Sequence, residues 1–73
     1  MTMLVYKLAC VNDSPPELWS LQVAGNTVRS FDSKTEAVRF GKQRVEDLTS
    51  GDLRVKLLVY RFDGSVEEEY SLK

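Results

Sequence analysis

The sequence predicts an α+β domain in which four to five antiparallel strands form one sheet and one helix packs on one of its faces. Segments that alternate apolar and polar side chains lie on both sides of a single segment with helical periodicity. Asp63-Gly64 divides the last extended segment in two, as a tight turn does. A chain of 73 residues is short for more than one domain. We therefore expect residues 1–73 to form a single domain with the element order ββ(β)αββ.

The first half of the chain is predicted to form two or three strands. Residues 3–11 are rich in β-branched and aromatic side chains, which favour a strand. Residues 12–16 include two prolines and indicate a loop, because proline cannot donate a hydrogen bond to a sheet. Residues 17–24 alternate cleanly and predict a half-buried strand. Gly25-Asn26 then predicts a two-residue turn, since both residues tolerate positive φ, and residues 27–31 return as a short strand.

The helix has the clearest sequence signals. Ser33 and Glu36 fit a capping box, in which the serine oxygen accepts a hydrogen bond from one free amide and the glutamate reaches back to another. The helical period continues to about Thr49, and Gly51 suits the left-handed conformation that often follows a helix. The side chains expected to face the sheet form one arc of the helix: Ala37, Val38, Phe40, Gly41, Val45 and Leu48.

Two residues are unusual in this apolar arc. Gly41 costs about 1 kcal/mol relative to alanine inside a helix, so we expect a close approach between helix and sheet at this position. Arg44 has two interpretations. Its aliphatic stem lies on apolar surface with the guanidinium at the edge, or the guanidinium pairs with a carboxylate of the sheet. Glu68 is the natural partner for Arg44 or for Arg61.

Residues 53–62 and 65–72 are predicted to form a hairpin around Asp63-Gly64. A two-residue turn pairs Phe62 with Ser65 and sets the rest of the register. Alternation then assigns the side chains of each strand to one of two faces. One face is apolar and is expected to lie under the helix. The opposite face of the first strand is expected to carry Lys56, Leu58, Tyr60 and Phe62.

Composition excludes several classes of enzyme. The chain contains no histidine and one cysteine, which excludes Ser-His-Asp and Cys-His catalytic arrangements, histidine metal sites and a disulfide within the chain. Glu67 and Glu69 share a strand face, but a solvated edge that discourages strand pairing is the favoured interpretation of these carboxylates. We expect a protein that is not an enzyme and that holds no cofactor and no metal.

The chain is expected to be cytoplasmic, with a reduced thiol. Its longest apolar runs have four residues, whereas a membrane-spanning helix needs about 20. The first residues have neither the basic start nor the apolar length of a signal peptide. No membrane partner is expected.

Several motifs along residues 17–72 resemble those of the uncharacterised bacterial domain-of-unknown-function family 2188. They are a strand with Trp19, a turn with Gly25, a helix start with Lys34, Glu36 and Ala37, and a final hairpin with Asp63-Gly64. The resemblance implies a small bacterial or phage protein and transfers no activity and no functional residue. The first half also resembles the arm-binding domain of phage integrases, whose sheet enters the DNA major groove. This chain differs from that domain in its acidic final hairpin.

Three functions are compatible with these patterns. The favoured one is a binding or assembly module, a homodimer through an exposed sheet face with Leu58, Tyr60, Phe62 and Lys56 as interface residues. The second is a nucleic-acid accessory protein that uses Arg39, Lys42, Arg54 and Lys56, although a pI near 5.3 is low for that class. The third is a phage or host inhibitor that acts by protein–protein contact, for instance by adding a strand to its target.

Overall fold

Five strands and one helix follow one another in the order β-β-β-α-β-β within the described residues, 2–12 and 14–72 of a computed structural model. The elements are β1 (Thr2–Asn12), β2 (Leu18–Val23), β3 (Asn26–Phe31), α1 (Lys34–Leu48), β4 (Leu53–Tyr60) and β5 (Val66–Ser71). The predicted α+β class, the optional third strand and the single helix on one sheet face are confirmed. Residues 1, 13 and 73 lie outside the described residues. All three belong to the predicted domain 1–73, and residue 13 also belongs to the loop predicted at residues 12–16.

The strands form one sheet in the order β3-β2-β1-β4-β5. β1 lies at its centre, antiparallel to β2 and parallel to β4. The sheet is therefore mixed, and the prediction of antiparallel pairing throughout was wrong for this pair. The physical reason is the crossover: α1 runs back across the sheet after β3, so β4 starts at the same end of the sheet as β1.

One face of the sheet and the apolar arc of α1 form the core. Buried apolar side chains alternate along each of the three inner strands, as period two requires: Tyr6, Leu8, Trp19, Leu21, Val55, Leu57 and Val59. The helix contributes Ala37, Gly41 and Val45. A Cβ at Gly41 would lie 2.9 Å from both δ-methyl carbons of Leu57, which confirms the expected close approach.

The helix begins at the predicted N-cap, with only the serine half of the capping box formed among the described residues, and it ends differently. Ser33 is the N-cap, and its Oγ accepts a hydrogen bond from the Glu36 amide at 3.4 Å. At the other end Thr49 donates to the Val45 carbonyl from both its amide, at 3.1 Å, and its hydroxyl, at 2.6 Å. Thr49 itself is extended. The left-handed conformation expected at Gly51 was wrong, because the chain leaves the helix at Thr49 without it.

The turn between β2 and β3 lies one residue earlier than predicted. Ala24 and Gly25 occupy it with φ of 54° and 80°, and Val23 pairs with Asn26. Positive φ at both positions is typical of the type I′ turn, whose twist matches that of a hairpin. The alternation of residues 17–24 extended the predicted strand to Ala24, and this shifted the predicted turn.

The hairpin of β4 and β5 has a three-residue loop rather than a two-residue turn. The Arg61 amide donates to the Ser65 carbonyl at 2.7 Å, and the Gly64 amide donates to the Arg61 carbonyl at 3.0 Å. Asp63 stabilises this loop by accepting hydrogen bonds from the amide and hydroxyl of Ser65, at 2.9 and 2.7 Å. The predicted pair of Phe62 with Ser65 was therefore wrong.

Further along the hairpin the predicted register returns. Tyr60 pairs with Val66, whereas Val59 pairs with Glu68, so a bulge in β5 accommodates one extra residue. Beyond it, Leu57 lies opposite Tyr70, as predicted. The bulge compensates for the longer loop, and the apolar face of β4 keeps its place under the helix.

Candidate functional site

The sheet face opposite α1 is the first candidate site. Lys56, Leu58 and Tyr60 alternate in β4 with the buried residues that face the helix, so they point to this helix-free face. All three are partly exposed. Three of the four predicted interface residues therefore share one surface, in the arrangement that the alternation of β4 predicted.

A row of three side chains crosses the middle of the helix-free face. Leu58 is the Cα partner of Lys7 on one side and of Glu69 on the other. Neighbouring strands are about 4.8 Å apart, so a basic and an acidic residue flank this leucine in the two adjacent strands. Glu69 also pairs with Lys56, whose Nζ lies 2.8 Å from its Oε2.

Small side chains lie beside this row. Ala9 and Ser20 are Cα partners in β1 and β2. Ser20 is only 6 % exposed although no helix covers it, and its Oγ lies 3.4 Å from the Gln22 amide nitrogen, which donates to it. Half-buried Val5 lies next to Lys56 in the neighbouring strand. The face is thus a shallow surface of apolar and small side chains between charged ones.

Phe62, the fourth predicted interface residue, does not share this surface. It lies in the hairpin loop, 66 % exposed, with its ring centroid 6.3 Å from that of Trp19. Trp19 belongs to the core, and the Nζ of Lys34 at the start of the helix lies 5.7 Å from its ring centroid. Phe62 is therefore on the helix side of the sheet, because the three-residue loop ends the alternation of β4 before this residue.

The four basic residues of the nucleic-acid alternative lie on two different surfaces. Arg39 and Lys42 belong to the helix, whereas Arg54 and Lys56 point away from it on the opposite face of β4. Lys42 pairs with Glu68 at 2.9 Å. Lys56 is likewise paired, with Glu69. Because the four predicted residues are divided between the helix and the opposite sheet face, they do not form one basic surface.

The predicted ion pair between Glu68 and an arginine is also absent among the described residues. Glu68 of β5 pairs instead with Lys42 of the helix. Arg61 instead donates to the Ser65 hydroxyl and the Val66 carbonyl, both at 3.1 Å. The guanidinium carbon of Arg44 lies 5.8 Å from the ring centroid of Phe40, and its Nε is buried without a hydrogen-bond partner among the described residues. Arg44 thus forms no ion pair with a sheet carboxylate there, and part of its guanidinium lies inside rather than at the edge.

A second candidate site lies between β3 and α1, and sequence reasoning missed it. Arg29 of β3 lies over two rings, with its guanidinium carbon 5.3 Å from the centroid of Phe31 and 5.2 Å from that of Phe40. These residues border a groove of about 330 Å³ that Glu36, Arg39 and Gln43 complete. The sequence predicts only a short strand at residues 27–31, and the distant Phe40 joins Arg29 and Phe31 through the tertiary fold.

Two ionisable groups of β5 have shifted pKa values because of contacts with the helix. Hydrogen bonds and charge from Lys34, whose Nζ lies 2.7 Å from Oε1, lower the pKa of Glu67 below its usual value. The hydroxyl of Tyr70 donates to Glu46 at 2.8 Å, and this raises the pKa of the tyrosine. In the hairpin loop, the hydrogen bonds from Ser65 lower the pKa of Asp63.

No protein-family model, curated protein or solved structure matches the chain. The resemblance to family 2188 stays an expectation from the residues. Among residues 2–12 and 14–72 there is no helix of sufficient length and hydrophobicity to cross a membrane. The same residues contain no cluster of three or more cysteine, aspartate or glutamate side chains arranged to hold a metal ion.

Proposed function

We propose that the protein is a small non-enzymatic assembly module that forms a homodimer by stacking the helix-free faces of two sheets. The observation that carries this proposal is the row of Lys7, Leu58 and Glu69 across three neighbouring strands. A surface that meets its own copy about a two-fold axis must be complementary to itself. This row meets that condition.

The geometry of the row defines the expected dimer. We consider a two-fold axis that lies between the two stacked sheets, parallel to β4 and over Leu58. This axis exchanges the two sides of the row. Lys7 of one protomer then lies over Glu69 of its partner, and the two leucines meet at the centre. Stacked sheets lie about 10 Å apart, a distance that an extended lysine and an extended glutamate span together.

Burial favours the same surface. A domain of this size buries only about 60 % of its chain surface on folding, and α1 covers one face of the sheet. Tyr60 and Val5 lie next to the charged row and would lose their remaining exposure in a stacked dimer. Aromatic residues at the centre of an interface commonly contribute much of its binding energy.

The nucleic-acid alternative has less support. Arg39 and Lys42 are on the helix, while Arg54 and Lys56 are on the other side of the sheet, and two of the four are paired with glutamates. A phosphate backbone would meet only part of this set at a time.

Analytical ultracentrifugation of the full chain tests the dimer across micromolar to millimolar concentrations. We expect self-association that is weakened by Lys7→Glu and by Glu69→Lys, because each change puts like charges in contact across the interface. The double variant restores the opposite charges and should recover association. Arg39→Glu makes the same kind of charge change on the helix and serves as the matched control.

Two results would contradict the proposal. One is a wild-type protein that stays monomeric over the whole concentration range at low salt. The other is association that is unchanged in Tyr60→Glu and in both charge variants, since this would assign the contact to a different surface.

A further inference from the structure

β3 is an edge strand that no other element pairs with on its outer side. An edge presents unpaired N–H and C=O groups to any other extended chain, and proteins guard it with proline, charged side chains, bulges or a covering element. β3 contains neither proline nor lysine, and its residues before Phe31 are all exposed. It has a bulge at Val28, but residues 29–31 pair regularly with β2. The opposite edge, β5, carries Glu67, Glu68 and Glu69, each paired with a lysine of the same chain.

The groove described above runs along this edge on the helix side. Phe31 and Phe40 form its apolar part, with ring centroids 5.4 Å apart. Arg29 lies over both rings. A guanidinium held over aromatic rings by cation–π contact still has N–H donors that suit a carboxylate. Arg39 adds a second guanidinium to the same groove.

The charges of the groove are not balanced within the described part of the chain. The ion pairs there join Lys34, Lys42 and Lys56 to the three glutamates of β5. Arg29 and Arg39 have no carboxylate at ion-pair distance among these residues, although Glu36 lines the groove. The groove therefore favours a ligand with negative charge.

The spacing of the groove matches that of an extended chain. Arg29 and Phe31 are two residues apart on one strand, so their side chains lie about 7 Å apart. A strand added to β3 presents its own side chains to the same face with the same repeat. An acidic side chain and an apolar side chain two residues apart would therefore meet Arg29 and the phenylalanine rings at the same time.

We propose that the β3 edge and this groove bind an extended acidic segment of a partner protein, which adds to the sheet as a sixth strand. Backbone hydrogen bonds to β3 hold the segment, and the pattern of a carboxylate and an apolar residue two positions apart determines its register. This site is separate from the helix-free face of the proposed dimer.

The test uses two synthetic eight-residue peptides of threonine and serine that carry Glu-Thr-Phe or Phe-Thr-Glu at the centre, because a strand can add in either direction. Each is titrated at low salt into the isotope-labelled full chain and followed by NMR. We expect amide shifts in residues 26–31 and slower amide exchange along β3. Replacing the peptide glutamate with glutamine should weaken binding about tenfold, since a charge-assisted contact to arginine is lost.

Protein variants locate the contact. Arg29→Gln should weaken binding about tenfold, while Arg54→Gln, on the opposite face of the sheet, should leave it unchanged. The glutamine peptides test the same contact on the wild-type chain, so the result does not depend on the folding of Arg29→Gln. Lys7→Glu, which is expected to weaken the dimer, should leave peptide binding unchanged and separates the two proposals.

Several outcomes would overturn this proposal. Binding that is absent at millimolar peptide, or equal for the glutamate and glutamine peptides, would remove it. Tighter binding of a single-stranded oligothymidylate than of either peptide would assign the groove to nucleic acid. Self-association that Arg29→Gln abolishes would assign it to a second copy of this chain.

Discussion

Gly41 determines how closely α1 approaches the sheet. The residue lies directly above Leu57, a side chain with 0 % exposure at the centre of the core. A Cβ at this position would come within 2.9 Å of two carbon atoms of that leucine. Glycine is the residue that helices tolerate least after proline, so its presence here reflects packing rather than helix formation.

We predict that Gly41→Ala lowers the free energy of unfolding by about 1 kcal/mol. Overpacking a core costs about 1–3 kcal/mol, and the better helix propensity of alanine offsets about 1 kcal/mol. Urea denaturation measures the difference. Gly51→Ala is the control, because a Cβ at that position would have no other atom within 4 Å, and it should change stability by less than about 0.5 kcal/mol.

The same substitution should change sign in a Leu57→Val background, where the shorter side chain leaves room for the methyl group. Alanine then contributes only its helix propensity, about 1 kcal/mol. An equal loss of stability in both backgrounds would show that the contact with Leu57 is not the cause.

Glu67 links the pH dependence of stability to one ion pair. Its pKa is lowered, chiefly by the hydrogen bond from Lys34. A carboxyl with a lowered pKa in the folded state stabilises that state above its usual pKa, and the contribution is lost as the pH falls through the lowered value. Because the pair is exposed to solvent, the contribution is small.

We predict that Glu67→Gln lowers the thermal midpoint at neutral pH. The difference from wild type should decline as the pH falls below the usual carboxyl pKa and disappear below the lowered pKa of the folded state. Lys34→Gln should reproduce the effect, and high salt should reduce it. Thermal unfolding followed by circular dichroism over a pH series measures the difference. A constant difference at all pH values would indicate that packing rather than charge is responsible.

At the scale of elements, the two hairpin loops show how local strain is distributed. Gly25 and Gly64 adopt positive φ, as glycine does readily. Ala24 adopts a φ of 54° in the turn between β2 and β3, a conformation that costs a residue with a Cβ about 1–2 kcal/mol. This turn therefore carries strain that a different residue would relieve.

We predict that Ala24→Asn raises the free energy of unfolding by about 0.5–1 kcal/mol, because Asn-Gly is a preferred sequence for a type I′ turn. Gly25→Ala should lower it by about 1 kcal/mol, since alanine there would be in the left-handed region. Urea denaturation of both variants measures the two changes in the free energy of unfolding. A destabilised Ala24→Asn would show that the side chain at this position has another role.

At the scale of the whole molecule, one helix cannot cover a five-stranded sheet on both sides. The core lies between α1 and one face, and the other face carries partly exposed Leu58 and Tyr60 beside charged residues. A domain of this size has little stability to spare. An interface on the second face would therefore contribute to folding as well as to assembly.

We predict that the thermal midpoint rises with protein concentration, because association stabilises only the folded state. Tyr60→Glu should abolish this dependence while leaving the midpoint at low concentration close to that of wild type. Calorimetry at several concentrations measures both. A midpoint that is independent of concentration in the wild-type protein would contradict the dimer.

Local signals were enough for most of the elements. Ser33 and Glu36 marked the start of the helix, and the alternation of β4 assigned Lys56, Leu58 and Tyr60 to the same face. The loop after Tyr60 was different, because Asp63-Gly64 is compatible with turns of two or three residues. One residue in that loop moved Phe62 to the helix side of the sheet.

The sequence by itself determined the α+β class, the element order and the faces of β4, since these depend on periodicity and capping over a few neighbouring residues. It did not determine the faces of β5, where a bulge brings Glu67 to Lys34 of the helix while Glu69 pairs with Lys56. The tertiary structure alone decided that β1 and β4 are parallel neighbours and that Arg29 lies against Phe40. It also decided which lysine pairs with each glutamate of β5. These contacts join residues far apart in the chain, and their geometry follows from the path of the helix across the sheet rather than from any local pattern.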